Sequence, residues 1–179
     1  MAKPEVKKEL PKEKISTFYF PGGKPISIEL KQKNEQAIEK AFKEDSLSLA
    51  DFEPVIKDVC GVPTIFKKML FEYIKKSEKL NENAEKIPKI NFINFFKREF
   101  ECEAVGRRTF KTIAQKDPKH IIPDDFKPLF KYLLETHPGL EFLQATPEFQ
   151  DRYADTVVMR IFFILDSNDD SKITWRDFK

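Results

Sequence analysis

The chain has 179 residues, 40% of them hydrophobic, and its 32 basic against 30 acidic residues leave a formal net charge of only +2. That length supports one domain or two small ones with a real core, and so slight a charge balance excludes the dense basic footprint of a nucleic-acid binder. No apolar run is long enough for a membrane span or a signal peptide, and Cys60 and Cys102 stand too far apart for a metal knuckle or redox pair, which points to the cytosol or nucleus.

Residues 1–14, MAKPEVKKELPKEK, offer almost nothing to bury and read as a disordered charged tail. Residues 15–28 contain ISTFYFPGGKPIS, in which Phe18, Tyr19 and Phe20 precede a Pro-Gly-Gly turn. Proline fixes φ and glycine permits positive φ, so this is an extended arm without helical period. It either folds back on its own core or docks on a partner through the three aromatics.

From residue 30 the pattern is helical, and 18 phenylalanines against 5 glycines suggest helices packed through aromatic stripes. Cys60 precedes Gly61 at an expected helix end, and Cys102 lies between Glu101 and Glu103, whose charges dull a thiol. In GRRTFK, Arg107 and Arg108 beside Phe110 form either a solvated helix face or a contact for an acidic surface or phosphate. His120 and His137 sit in a lysine-rich loop and a helix stop, where a structural role is expected. No nucleophile can be paired with a base, so an enzyme is not expected.

A helix is predicted over 126–135, stopped by HPGL, because the residue before proline disfavours the α region and Gly139 releases the chain. The longest predicted helix runs over 146–165, with Thr146 as cap and Pro147 at the first position. Phe149, Tyr153, Val157, Ile161 and Leu165 follow at i+4 spacing, and Val158 with Phe162 forms a second apolar line beside them.

One short pattern recurs: an apolar residue, three others, a polar or acidic residue, then Phe. It appears as LSLADF (Leu47, Asp51, Phe52), INFINF (Ile90, Asn94, Phe95), IIPDDF (Ile121, Asp125, Phe126) and ITWRDF (Ile173, Asp177, Phe178). This is the second half of an EF-hand: the strand residue at loop position 8, the ligand at position 12, and the first aromatic of the exiting helix. The expected fold is therefore mostly α, built of degenerate EF-hand-like helix-loop-helix repeats with short loop-pairing strands. A first pair occupies 29–105 and a second 106–179, its last hand cut after the loop.

Only the last copy keeps an acidic first half. Asp166, Asn168, Asp170, the Lys172 carbonyl, Thr174 and Asp177 fall at positions 1, 3, 5, 7, 9 and 12, an oxygen-ligand pattern suited to Ca²⁺. Ser171 stands at position 6 in place of glycine, and Asp177 in place of the longer glutamate. A weak site is expected, with a dissociation constant of about 10⁻⁴ M or worse. A loop closed by side-chain caps with no ion is the competing reading. With the hand cut short, part of the Val158 and Phe162 face is expected to lack intramolecular cover, and so to bind a partner, self-associate or limit solubility.

FYFPGGKPIS, VCGVP and above all ETHPGLEFLQATPEFQDRYADTVVMRIFF resemble the B″ class of regulatory subunits of protein phosphatase 2A. The resemblance implies a non-catalytic subunit that binds the HEAT-repeat scaffold subunit and the catalytic subunit and directs them to phosphoprotein substrates. It places the chain at the N-terminal half of such a subunit, in the cytoplasm or nucleus, with centrosomal or cytoskeletal association left open. A stand-alone EF-hand calcium-binding or interaction protein is the alternative.

Overall fold

The computed structural model describes residues 26–42, 44–81 and 83–179. Among them the chain forms four helix-loop-helix hands in two pairs. Phe18, Tyr19 and Phe20, the 1–14 tail and most of the 15–28 arm lie outside the described residues.

The first hand opens with α1 (Ile28–Ala41), whose N-terminus is closed by the Ser27 hydroxyl accepting from the Leu30 N–H at 3.2 Å. Strand β1 (Ser46–Ser48) follows, then a 3₁₀ turn (Ala50–Phe52) and a π-helical segment (Val55–Cys60). Gly61 ends that segment at φ 67°, a left-handed value, and a side chain there would meet Val105 Cγ2 at 3.1 Å. Both facts favour glycine. The second hand comprises α2 (Lys67–Ser77), β2 (Lys86–Pro88) and α3 (Lys89–Phe95), which runs on into a second π segment (Phe96–Phe100).

Strands β1 and β2 pair antiparallel with Leu47 opposite Ile87. Beneath them Phe52, Phe92, Phe95 and Phe100 are fully buried. Their rings meet edge to face, Phe52 with Phe71 at 5.4 Å and Phe95 with Phe100 at 5.0 Å, the favoured geometry for aromatic quadrupoles. The aromatic composition thus becomes the first core.

The pairing corrects the expected register of the second hand. Ile87 is fully buried and faces Leu47, whereas Ile90, expected at the strand position, is 62% exposed in the first turn of α3. IPKINF and INFINF both satisfy the pattern, three residues apart. The ladder decides between them, because the chain is already helical from Lys89. Ile87, Asn91 and Phe92 are therefore the counterparts of Ile173, Asp177 and Phe178.

The second pair is built from α4 (Val105–Ile113), β3 (His120–Ile121), a 3₁₀ turn (Pro123–Phe126) and α5 (Lys127–Thr136). A 3₁₀ turn (Pro138–Leu140) and the short α6 (Glu141–Gln144) lead to α7 (Pro147–Leu165), then β4 (Ile173–Thr174) and the single turn α8 (Trp175–Phe178). Ile121 faces Ile173 across β3 and β4, and both are fully buried. The two cores meet at α2, where Met69 packs into the second, Leu70, Phe71 and Ile74 into the first, and Phe66 against both.

Helix α7 has the expected start and buries both apolar lines over its C-terminal part, where Val157, Ile161 and Leu165 pack against the second core beside Val158 and Phe162, while Phe149 and Tyr153 stay exposed. Val158 and Phe162 are its buried residues, with Phe162 edge to face on Phe126 at 6.3 Å. The Val158 and Phe162 face therefore has intramolecular cover, against expectation, because the 3₁₀ turn before α5 packs on it. The uncovered residues are Met159, Phe163 and Ile164, with Phe149 and Tyr153 nearer the N-terminus. Thr146 precedes the helix but caps it with no side-chain bond, since its hydroxyl donates back to the Phe142 carbonyl at 3.4 Å.

Candidate functional site

The acidic loop of the fourth hand leaves α7 at Asp166, whose N–H still donates to the Phe162 carbonyl at 2.7 Å. The Asp166 carboxylate then accepts from the Ser171 N–H at 2.7 Å and the Asp170 N–H at 3.3 Å, and Asp170 accepts from the Lys172 N–H at 2.9 Å. These bonds bend the loop back over its first residue. Asp169 and Ser171 take left-handed φ values of 58° and 59°, so the non-glycine residue at position 6 does carry the backbone strain read from the sequence.

At the end of the loop, Asp177 Oδ2 accepts from the Thr174 N–H at 2.9 Å and the Thr174 hydroxyl at 2.6 Å, and Thr174 Oγ1 accepts from the Asp177 N–H at 3.4 Å. This is a reciprocal capping box that starts α8. The Thr174 hydrogen bonds hold the Asp177 carboxyl below the usual carboxylate range.

Parts of this arrangement recur in the third and first hands. Asp125 Oδ2 accepts from the Ile122 N–H at 3.0 Å, and Asp51 Oδ2 accepts from the Ser48 hydroxyl at 2.7 Å. In the second hand the corresponding position is Pro88, which has no N–H to give. The position-12 side chain there is Asn91, with no carboxylate to cap. The carboxylate at position 12 therefore caps the backbone in the third and fourth hands and ties down the Ser48 hydroxyl in the first, roles that need no ion.

The residue types of 166–177 suit a hard cation, yet their arrangement does not gather them. Among the described residues, no group of three or more His, Cys, Asp or Glu side chains is placed to hold a metal ion. Asp166, Asp170 and Asp177 are turned to backbone donors at opposite ends of the loop. The third loop is closed to cations in a different way. Lys116 and Lys127 flank Asp124 at 3.1 and 2.6 Å, and His120 Nδ1 lies 2.8 Å from Asp117 Oδ2.

Arg108 has a structural place rather than a free one. Its guanidinium donates to the carbonyls of Phe100 and Glu103 at 3.0 Å each, Cys60 at 3.0 Å and Val59 at 3.3 Å, and lies over the Phe96 ring at 5.3 Å. These carbonyls lie at or just past the ends of both π segments, where helical partners run out; that of Phe100 also accepts from the Glu103 N–H at 3.0 Å. One side chain ties the ends together. Burial lowers the pKa of Arg108. Arg107 stacks over Phe110 and Trp175, 5.1 Å from each ring centroid. The role of Arg108 could not be read from GRRTFK, because its acceptors exist only once two distant helix ends meet.

Cys60 is fully buried, and burial pushes its thiol up to about 12, which removes it as a nucleophile at neutral pH. His137 Nδ1 accepts from the Gly139 N–H at 3.1 Å, a cap for the turn after α5.

Paired hands with helix-capped loops define an EF-hand-like helical protein, and the EF-hand domain family matches residues 105–179. Over a longer span the chain is 36% identical to the probable B″delta regulatory component of serine/threonine protein phosphatase 2A from Arabidopsis thaliana, covering 94% of this chain and 31% of that protein. It is 30% identical to the human B″ alpha regulatory component of the same phosphatase, over 89% of this chain and 14% of that one, and 30% identical to the mouse B″ delta form, over 86% and 31%. The chain is a homologue of the B″ regulatory subunits of protein phosphatase 2A, and it spans about a third or less of the length of these relatives.

Proposed function

We propose that this chain serves as an adaptor segment of a B″-type regulatory subunit that engages the scaffold and catalytic subunits of protein phosphatase 2A and steers them to phosphoprotein substrates. The observation that carries this reading is the similarity to B″ subunits along 171 residues, through both pairs of hands. The geometry agrees with recognition rather than chemistry: Cys60 is sealed in the core, and both histidines are held in structural hydrogen bonds. Co-precipitation with purified scaffold and catalytic subunits, in calcium and in chelator, tests it. Capture under both conditions supports a constitutive adaptor, and failure under both removes the reading for this segment.

We further propose that residues 166–177 bind Ca²⁺ only weakly. The EF-hand match and the left-handed turns at Asp169 and Ser171 support a loop of the right shape. The capping of Asp177 by Thr174 works against affinity, because the ion must compete for a carboxylate already satisfied. Calorimetry with millimolar calcium showing no heat would remove the site.

A further inference from the structure

Between α1 and the junction of α3 with its π segment lies a cleft of about 310 Å³. Its floor is apolar: Ile38 and Phe96 are buried and Ile93 is half-buried. Asn34 lines the same cleft, and its Nδ2 is shut off from solvent with no hydrogen-bond partner among the described residues. Unmet buried donors are rare in native folds, and turning the amide over would bury an unmet carbonyl oxygen instead. Asparagine is also a poor helix former, so neither α1 nor the packing explains its presence.

The rim is acidic. Glu35 and Glu101 have no ion-pair partner among the described residues, while Glu39 is held by Lys89 at 2.7 Å. Among the described residues, Lys97 is the basic side chain lining the cleft. The π segment turns Phe96 and Lys97 onto the cleft, and Glu101 follows at its end; such segments recur at binding sites because they shift side chains out of α-helical register. The volume is at the low end for a binding site, enough for one large side chain and its backbone but not for the face of a helix.

We propose that this cleft docks a short segment of a partner protein in which one apolar side chain is flanked by lysine or arginine. The apolar group fills the space over Ile38, Ile93 and Phe96, the Asn34 amide, buried and unmet in the free chain, turns outward on docking to donate to a backbone carbonyl of the segment, and the basic groups face Glu35 and Glu101. This rests on the cleft alone and is independent of the phosphatase reading.

The test is fluorescence polarisation of labelled acetyl-Lys-Arg-Phe-Lys-Arg-amide on the full chain. Binding is expected, weakened about tenfold or more by Asn34→Leu, by Glu35→Lys with Glu101→Lys, and by alanine in place of the probe's phenylalanine. Asn34→Leu should at the same time raise the thermal midpoint of the free protein, a result that a purely structural asparagine would not give. The proposal is overturned if no binding is seen up to about 1 mM probe, or if binding ignores both Asn34→Leu and the loss of the phenylalanine. It is also overturned if a peptide of residues 15–24 displaces the probe with clearly higher affinity, which would assign the cleft to this chain's own segment.

Discussion

Arg108 reaches the carbonyl of Cys60 at 3.0 Å, joining the first helix of the third hand to the last turn of the first hand, 48 residues away. With the carbonyls of Val59, Phe100 and Glu103 it makes four such bonds, all within 3.3 Å. Removing the guanidinium strands buried acceptors. Arg108→Ala should cost roughly 2–4 kcal/mol of stability in urea denaturation, given about 1.5–3 kcal/mol for a hydrogen bond to a charged group and incomplete additivity. Arg107→Ala, which loses ring stacking at a half-exposed site, should cost about 1 kcal/mol or less. Equal losses would show that Arg108 has no special structural role.

The register of the second hand predicts a sharp contrast between neighbours. Ile87→Ala opens a cavity beneath the β1 and β2 ladder and should cost roughly 2–5 kcal/mol. Ile90→Ala, at a residue 62% exposed, should fall within about 0.5 kcal/mol of wild type. The reverse order would restore the INFINF alignment.

Much of this fold is legible in the sequence, and the places where it is not share one cause. Leu47, Ile121 and Ile173 announce themselves by the spacing to Asp and Phe, because the ladder and the helix cap are local and each needs a fixed offset. Ile87 is hidden by Ile90, since a chain so rich in phenylalanine repeats the same signal three residues later and only cross-strand pairing separates them. Both apolar lines of α7 are legible from their helical spacing and both reach the second core. Which line lies deepest is not legible, because Val158 and Phe162 are set by Phe126, which lies 36 residues upstream of Phe162 in the chain. The acidic positions of the last loop were readable as residue types, but their use as backbone caps depends on the path of the loop.

Asp125 and Asp177 occupy equivalent positions yet should respond to pH with opposite sign. Burial raises the Asp125 pKa, so its stabilising contribution is fullest below the ordinary carboxylate value and declines as pH rises through its folded value. Asp177 is depressed, so the stability it gives is present above the ordinary value and is lost as pH falls through the folded one. Relative to Asp125→Asn, the wild type should therefore lose ground as pH rises from about 4 to 7. Denaturation midpoints across that range measure the difference, and a constant gap would contradict the buried-carboxylate assignment.

Ser171 holds φ at 59° without the freedom of glycine. Ser171→Gly should stabilise the protein by about 0.5–1 kcal/mol, the left-handed strain relieved less the added entropy of the unfolded chain. Calcium affinity should rise with it. A destabilised variant would show that the serine side chain has a role outweighing its backbone strain.

Helix caps and aromatic cores close the hands, and metal removal tests most directly whether these contacts suffice without a bound ion. Thermal unfolding followed by near-ultraviolet circular dichroism should be cooperative in excess chelator, with native aromatic signals before the transition. Millimolar calcium should raise the midpoint only slightly, since a site of about 10⁻⁴ M affinity stabilises by little more than 1 kcal/mol at that concentration. A protein that lost its aromatic signals in chelator and recovered them with calcium would contradict that sufficiency, and would make the 166–177 loop the element that organises the fold.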